Sequence, residues 1–207
     1  YRRAETSGSC GTVYTSSILK TVRSNFSTGT ISSTGETICY SGTPSAISSS
    51  SAASGGDGTI TYSWRSSSDS YAAAISGATS STYTPPSGLT ATTSYRRYAK
   101  DGTCNTSPTV SSGTWTVTVY SNLTAGSIGS AETICYNATP SSLTSSSAPT
   151  GGTGSYTYQW QSSTDNSNFS NITSATSSTY APSALTTSTY YRRAETSGSC
   201  GTVYTSS

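Results

Sequence analysis

GETICYSGTPSAISSSSAASGGDGTITYSW, residues 35–64, recurs as AETICYNATPSSLTSSSAPTGGTGSYTYQW, residues 131–160. Both copies carry a cysteine near the start, a glycine-rich turn run (GGDG at 55–58, GGTG at 151–154) and a tryptophan at the close. Between turn and tryptophan the chain alternates, with Ile60, Tyr62 and Trp64 on one face and Thr61, Ser63 and Arg65 on the other. That is the pattern of a half-buried strand, so Trp64 and Tyr62, with Trp160 and Tyr158 in the second copy, are core candidates. Trp115, Val117 and Val119 repeat the alternation later, with Thr116 and Thr118 facing outward, and form the last strand of a unit.

The repeat sets the organisation. Cys39 and Cys135, Trp64 and Trp160, Tyr95 and Tyr191, and Cys104 and Cys200 are each 96 residues apart. YRRAETSGSCGTVYTSS occupies residues 1–17 and again 191–207, an offset of 190, while Cys10 and Cys104 differ by 94. Two diverged unit types therefore alternate, which separates near-identical neighbours that would otherwise tend to exchange strands during folding. The expected divisions are 1–24, the C-terminal part of a preceding repeat; 25–121, a complete repeat; and 122–207, a second repeat truncated in its last strand. A period of this size is a whole domain rather than a solenoid turn. The junctions near Ser24 and Ser121 lack long glycine or proline linkers, which predicts limited flexing.

Short β-rich segments, turns at close intervals and no helix-period run point to an all-β chain of tandem immunoglobulin-like β-sandwich domains in an elongated array. The interval of 25 between Cys39 and Trp64 is longer than in antibody domains, so the expectation concerns architecture and not their topology.

Five cysteines without a CxxC pair or any histidine suggest disulfides and an oxidising compartment rather than zinc. Equal spacings of 65 favour bridges within each unit, Cys39 with Cys104 and Cys135 with Cys200, leaving Cys10 to a partner upstream. If the paired positions lie at opposite poles of a sandwich, the alternative joins neighbours, Cys39 to Cys200. Free thiols are the third possibility.

Composition excludes several functions. Ser and Thr exceed two-fifths of the chain, only 9% of residues are charged, and the net charge of +2 is scattered. Neither nucleic-acid binding nor membrane insertion is expected, and any targeting signal would lie outside these residues. With no histidine to act as base and eight carboxylates spread among turns, no catalytic residue, metal ligand or cofactor site is expected. Six Asn-x-Ser/Thr triplets are what so Ser/Thr-rich a chain gives by chance. Arg96-Arg97 and Arg192-Arg193 divide between the two faces of a strand. One arginine of each pair should stack on an aromatic ring, and Arg96 and Arg192 are the candidates for an outward surface contact.

The motifs TICY at Thr37 and Thr133, GGTGSYTYQWQSSTDN from Gly151, SATSSTYAP from Ser174 and LTTSTYYRRAETSGSC from Leu185 resemble the repeated Ig-like modules of giant Bacteroidota surface proteins, above all the SprB-type gliding-motility adhesins. The resemblance covers the whole chain. It implies secretion by the type IX system, display at the cell surface, movement by the gliding machinery and adhesion to a substratum or surface polysaccharide through other regions. The function expected is a stalk or filament whose immediate partners are neighbouring repeats. The alternative is a carbohydrate-binding array on a secreted polysaccharide-degrading protein, in which exposed aromatic rings would stack on sugars.

Overall fold

The computed structural model describes residues 1–129 and 131–207, and the chain is all-β. A short hairpin, β1 (Ala4–Thr6) and β2 (Thr12–Tyr14), comes first. The next strands are β3 (Thr30–Ile31), β4 (Glu36–Ile38), β5 (Ser49–Ser51), β6 (Thr61–Ser66), β7 (Thr93–Lys100), β8 (Thr109–Val110) and β9 (Trp115–Val119). β6, β7, β9 and β4 lie side by side in one sheet, with β8 also paired to β7, while β3 and β5 form a second, smaller sheet. β4 runs parallel to β9, and the other pairings are antiparallel.

The core lies between these sheets. Ile31 and Ile47 face Trp64, Tyr95, Trp115 and Val117, all buried. The Trp64 indole N–H donates to the Ser80 carbonyl at 2.9 Å, and Tyr83 stacks 5.5 Å away, so the large apolar ring is buried without an orphaned donor. Burial of this kind is worth about 1.5–3 kcal/mol per large side chain. The core begins two alternating positions later than predicted: Trp64 is fully buried, whereas Ile60 and Tyr62 are only half-buried. Tyr158 is likewise half-buried beside the buried Trp160, because Tyr62 and Tyr158 each roof a buried arginine.

The second half repeats the plan with β10 (Ser127–Ile128), β11 (Ser145–Ser147), β12 (Thr157–Ser163), β13 (Ser170–Asn171), β14 (Tyr190–Thr196) and β15 (Thr202–Tyr204). β13, β12, β14 and β15 form its larger sheet, and β10 pairs with β11. Trp160 donates to Ser177 as Trp64 does to Ser80. The bridges Leu143–Tyr180 and Ala138–Leu185 match Ile47–Tyr83 and Gly42–Leu89. Among the described residues, no strand occupies the place that β9 has in the first half. Residues 131–135 and 189–191 there border an open groove of about 920 Å³.

Among the described residues, every strand pairing stays on one side of residues 121–122. A turn contact marks that boundary: the Gly152 N–H donates to the Ser121 carbonyl, as Gly56 donates to Ser24. Gly151 has φ +79°, and a Cβ there would collide with the Asn122 carbonyl, so only glycine lets the GGTG turn close against the start of its unit.

Candidate functional site

Three features carry the chemistry of this chain: a disulfide between its halves, a buried arginine in each half, and an arginine–aromatic face.

Cys39 follows β4 directly, in a tight turn closed by the Gly42 N–H donating to the Cys39 carbonyl. It lies at the end of the unit where β9 departs, since the Tyr120 N–H donates to Ile38. Cys200 ends the short turn between β14 and β15, at the opposite pole of the second half, where Ser121 and Gly152 meet. The structure joins these two cysteines, with Cα atoms 5.2 Å apart and 161 residues between them in sequence. The within-unit pairs Cys39–Cys104 and Cys135–Cys200 are thereby overturned. In each half the two cysteines sit at opposite poles, beyond the roughly 7 Å that a disulfide can span. Cys10, Cys104 and Cys135 are free and exposed. Disulfides of this kind persist in an oxidising compartment rather than in a reducing cytosol.

Arg97 and Arg193 point inward from β7 and β14 and have no solvent exposure. A buried guanidinium is tolerated only if all its N–H groups find acceptors. Arg97 meets this requirement without a carboxylate. Its Nε donates to Ser111, one terminal nitrogen to Ser49 and the Ser81 carbonyl, and the other to the carbonyls of Thr28, Thr30 and Ser51. Burial lowers its pKa, opposed by Tyr62, whose ring lies 4.9 Å from the guanidinium carbon. Arg193 solves the same problem with a carboxylate: its Nε and a terminal nitrogen donate to Glu195 at 2.9 and 2.6 Å, under Tyr158 at 4.6 Å. The second Glu195 oxygen accepts from the Gly126 N–H. Glu195 is therefore a buried strand residue and not one of the turn carboxylates. The i, i+2 spacing of Arg193 and Glu195 on a strand was the available sequence signal, but Ala99 stands at the matching place in the first half.

The partners of these arginines face the other way. Arg96 is half-buried, lies 4.2 Å from the Tyr71 ring and donates to Thr114. Its cross-strand neighbour Arg65 lies over Tyr98 at 4.5 Å. Arg192 sits between Phe169 and Tyr204 at 4.1 and 4.2 Å and donates to Gln161. Both members of each arginine pair thus contact an aromatic ring.

The turn acids serve as local caps. Asp57 accepts from the Thr59 N–H and the Thr103 hydroxyl. Asp101 accepts from the backbone N–H groups of Thr103, Cys104 and Asn105, and Asp165 from those of Ser167 and Asn168. Burial pushes the Asp101 carboxyl up, but these bonds outweigh it and hold its pKa at about 2. The bonds to Asn168 in particular depress Asp165 well below the usual carboxylate range. Among the described residues there is no cluster of three metal-ligating side chains and no helix long and apolar enough to cross a membrane.

The family model described as Domain of unknown function (DUF8696) matches residues 27–121 and again 124–207. The chain belongs to the DUF8696 family. Each half is one match to this family, so the Cys39–Cys200 bridge connects two consecutive DUF8696 copies. No curated protein matches the chain.

Proposed function

We propose that this chain is a segment of a stalk: a secreted, surface-displayed series of immunoglobulin-like sandwiches that holds an adhesive region away from the cell. The observation that carries this reading is the covalent tie between consecutive DUF8696 copies, Cys39 to Cys200. A bridge within one domain raises that domain's stability, whereas a bridge between domains limits how far they can swing apart, which is what a spacer under load requires. The polar surface, with few charges, suits an inert shaft. The resemblance of the TICY and SYTYQW motifs to SprB-type modules supports a role in gliding motility and attachment, with type IX secretion as the export route.

On the face that carries Arg65 and Arg96 the carbohydrate-binding alternative is weakened. A sugar-stacking platform needs bare ring faces, and here Arg96 covers Tyr71 while Arg65 covers Tyr98. Deleting pairs of repeats from the full-length surface protein tests the stalk reading. The surface fibre should shorten in proportion while the adhesive region keeps its binding. Specific glycan binding by the 207-residue chain itself would overturn it.

A further inference from the structure

The three free cysteines occupy the same two kinds of position as the bonded pair. Cys135 is the counterpart of Cys39: both come directly after a Thr-Ile dipeptide, and both begin a turn closed by an N–H three residues on, Gly42 to Cys39 and Ala138 to Cys135. Two residues beyond each, Ser41 and Asn137 adopt the same left-handed conformation, with φ 61° in both. Cys104 is the counterpart of Cys200. Each lies in the turn that ends the long strand of its sheet, anchored by a buried residue at the matching position: Asp101 accepts the Cys104 N–H at 2.6 Å, and the Ser197 carbonyl accepts the Cys200 N–H at 2.9 Å. Cys10 lies in the identical stretch at the start of the chain.

The order of the two unit types is also written in the sequence. Residues 191–207 of the second-type unit occur once more at 1–17, and there they are followed, after residues 18–24, by a first-type unit. In that order the exposed Cys135 stands in the place that Cys39 has before the second unit, and the unit that follows carries a Cys104-type turn.

We infer that Cys135 and the Cys104 of a succeeding first-type unit form the same bridge as Cys39 and Cys200, so that every junction of the series is stapled. This rests on the stalk reading only in requiring that such a unit comes next. Cys104 and Cys10 in this chain then take their partners from the units before them. The bond forms by two thiol–disulfide exchanges with a small disulfide such as glutathione disulfide. The Cys135 thiolate attacks it and releases one glutathione thiolate. The Cys104 thiolate then attacks the mixed disulfide at the Cys135 sulfur and releases the second. Two protein thiols are oxidised, one glutathione disulfide is reduced to two glutathiones, and the two protein protons pass to the departing thiolates.

The test uses the 207-residue chain and the same chain lengthened after Ser207 by a second copy of residues 18–121, both refolded with reduced and oxidised glutathione. The chain itself should titrate three free thiols. The lengthened chain, though it has two more cysteines, should also titrate three, and non-reducing peptide mapping should join Cys135 to the added Cys104. In the lengthened chain, C135S should raise the titre by one. A titre two higher than in the original chain, or an added Cys104 joined elsewhere, would overturn the inference. The stalk reading is tested separately in the same map, because its tie is the Cys39–Cys200 peptide pair.

Discussion

Arg3 and Arg193 occupy the same place in two identical 17-residue stretches, yet the side chain of Arg3 is 75% exposed and that of Arg193 is fully buried. Both stretches form the same hairpin, with Ala4 opposite Tyr14 in one and Ala194 opposite Tyr204 in the other. Both arginines pair with the glutamate two residues on. The preceding arginine stacks on the same tyrosine in each, Arg2 on Tyr14 at 3.9 Å and Arg192 on Tyr204 at 4.2 Å. In the second copy β12 pairs with β14 and Ser145 of the smaller sheet accepts from Arg193, which closes the arginine in.

Arg193→Ala should destabilise the second unit by about 3–5 kcal/mol, because it leaves Glu195 charged and buried with its partner gone. Arg3→Ala removes the same local ion pair from water-exposed ground and should change stability by less than about 0.5 kcal/mol. Urea unfolding monitored by tryptophan fluorescence compares the two. Equal effects would mean that the pair acts only through its hairpin.

Acid should act first on the turn acids. Asp101 titrates at about 2 in the fold against an ordinary 3.8, so its contribution is fully present above about pH 4 and is lost as the pH falls toward 2. Asp165 is depressed in the same direction and adds to the loss in the second unit. Urea midpoints should therefore hold from about pH 7 to about pH 4 and fall below it, and Asp101→Asn should flatten that fall in the first unit.

Reduction should loosen the junction and spare the units. With Cys39–Cys200 opened, spin labels placed on the two halves should show a wider distance distribution, while the fluorescence of Trp64 and Trp160, buried within separate units, should stay the same. Loss of the tryptophan signal on reduction would mean that the bridge holds the folds themselves together.

The open groove beside residues 131–135 and 189–191 lies at the positions that pair with β9 in the first unit. Residues 18–24, ILKTVRS, come directly after the identical stretch at the start of the chain and leave Ile18, Leu19 and Val22 exposed there. Adding a copy of residues 18–24 after Ser207 should stabilise the second unit by on the order of 3 kcal/mol through burial of Ile18 and Val22, which share one face of a strand. Amide exchange at 132–134 and 189–191 should slow in step. No change in protection would mean that the segment does not enter the groove.

What the sequence determined by itself is the periodic part. Alternation from Thr61 to Trp64 and from Trp115 to Val119, with glycine turns at 55–58 and 151–154, marks the strands because side-chain period and turn conformation are local properties of a few residues. The same locality makes residues 1–17 and 191–207 fold alike. The tertiary structure decided the rest. Equal spacings of 65 favoured Cys39 with Cys104, but a disulfide obeys distance in space, and the sandwich puts those residues at opposite poles while bringing Cys200 of the next unit to Cys39. Likewise nothing within YRRAET shows that Arg193 is buried, because burial depends on strands that lie dozens of residues away along the chain.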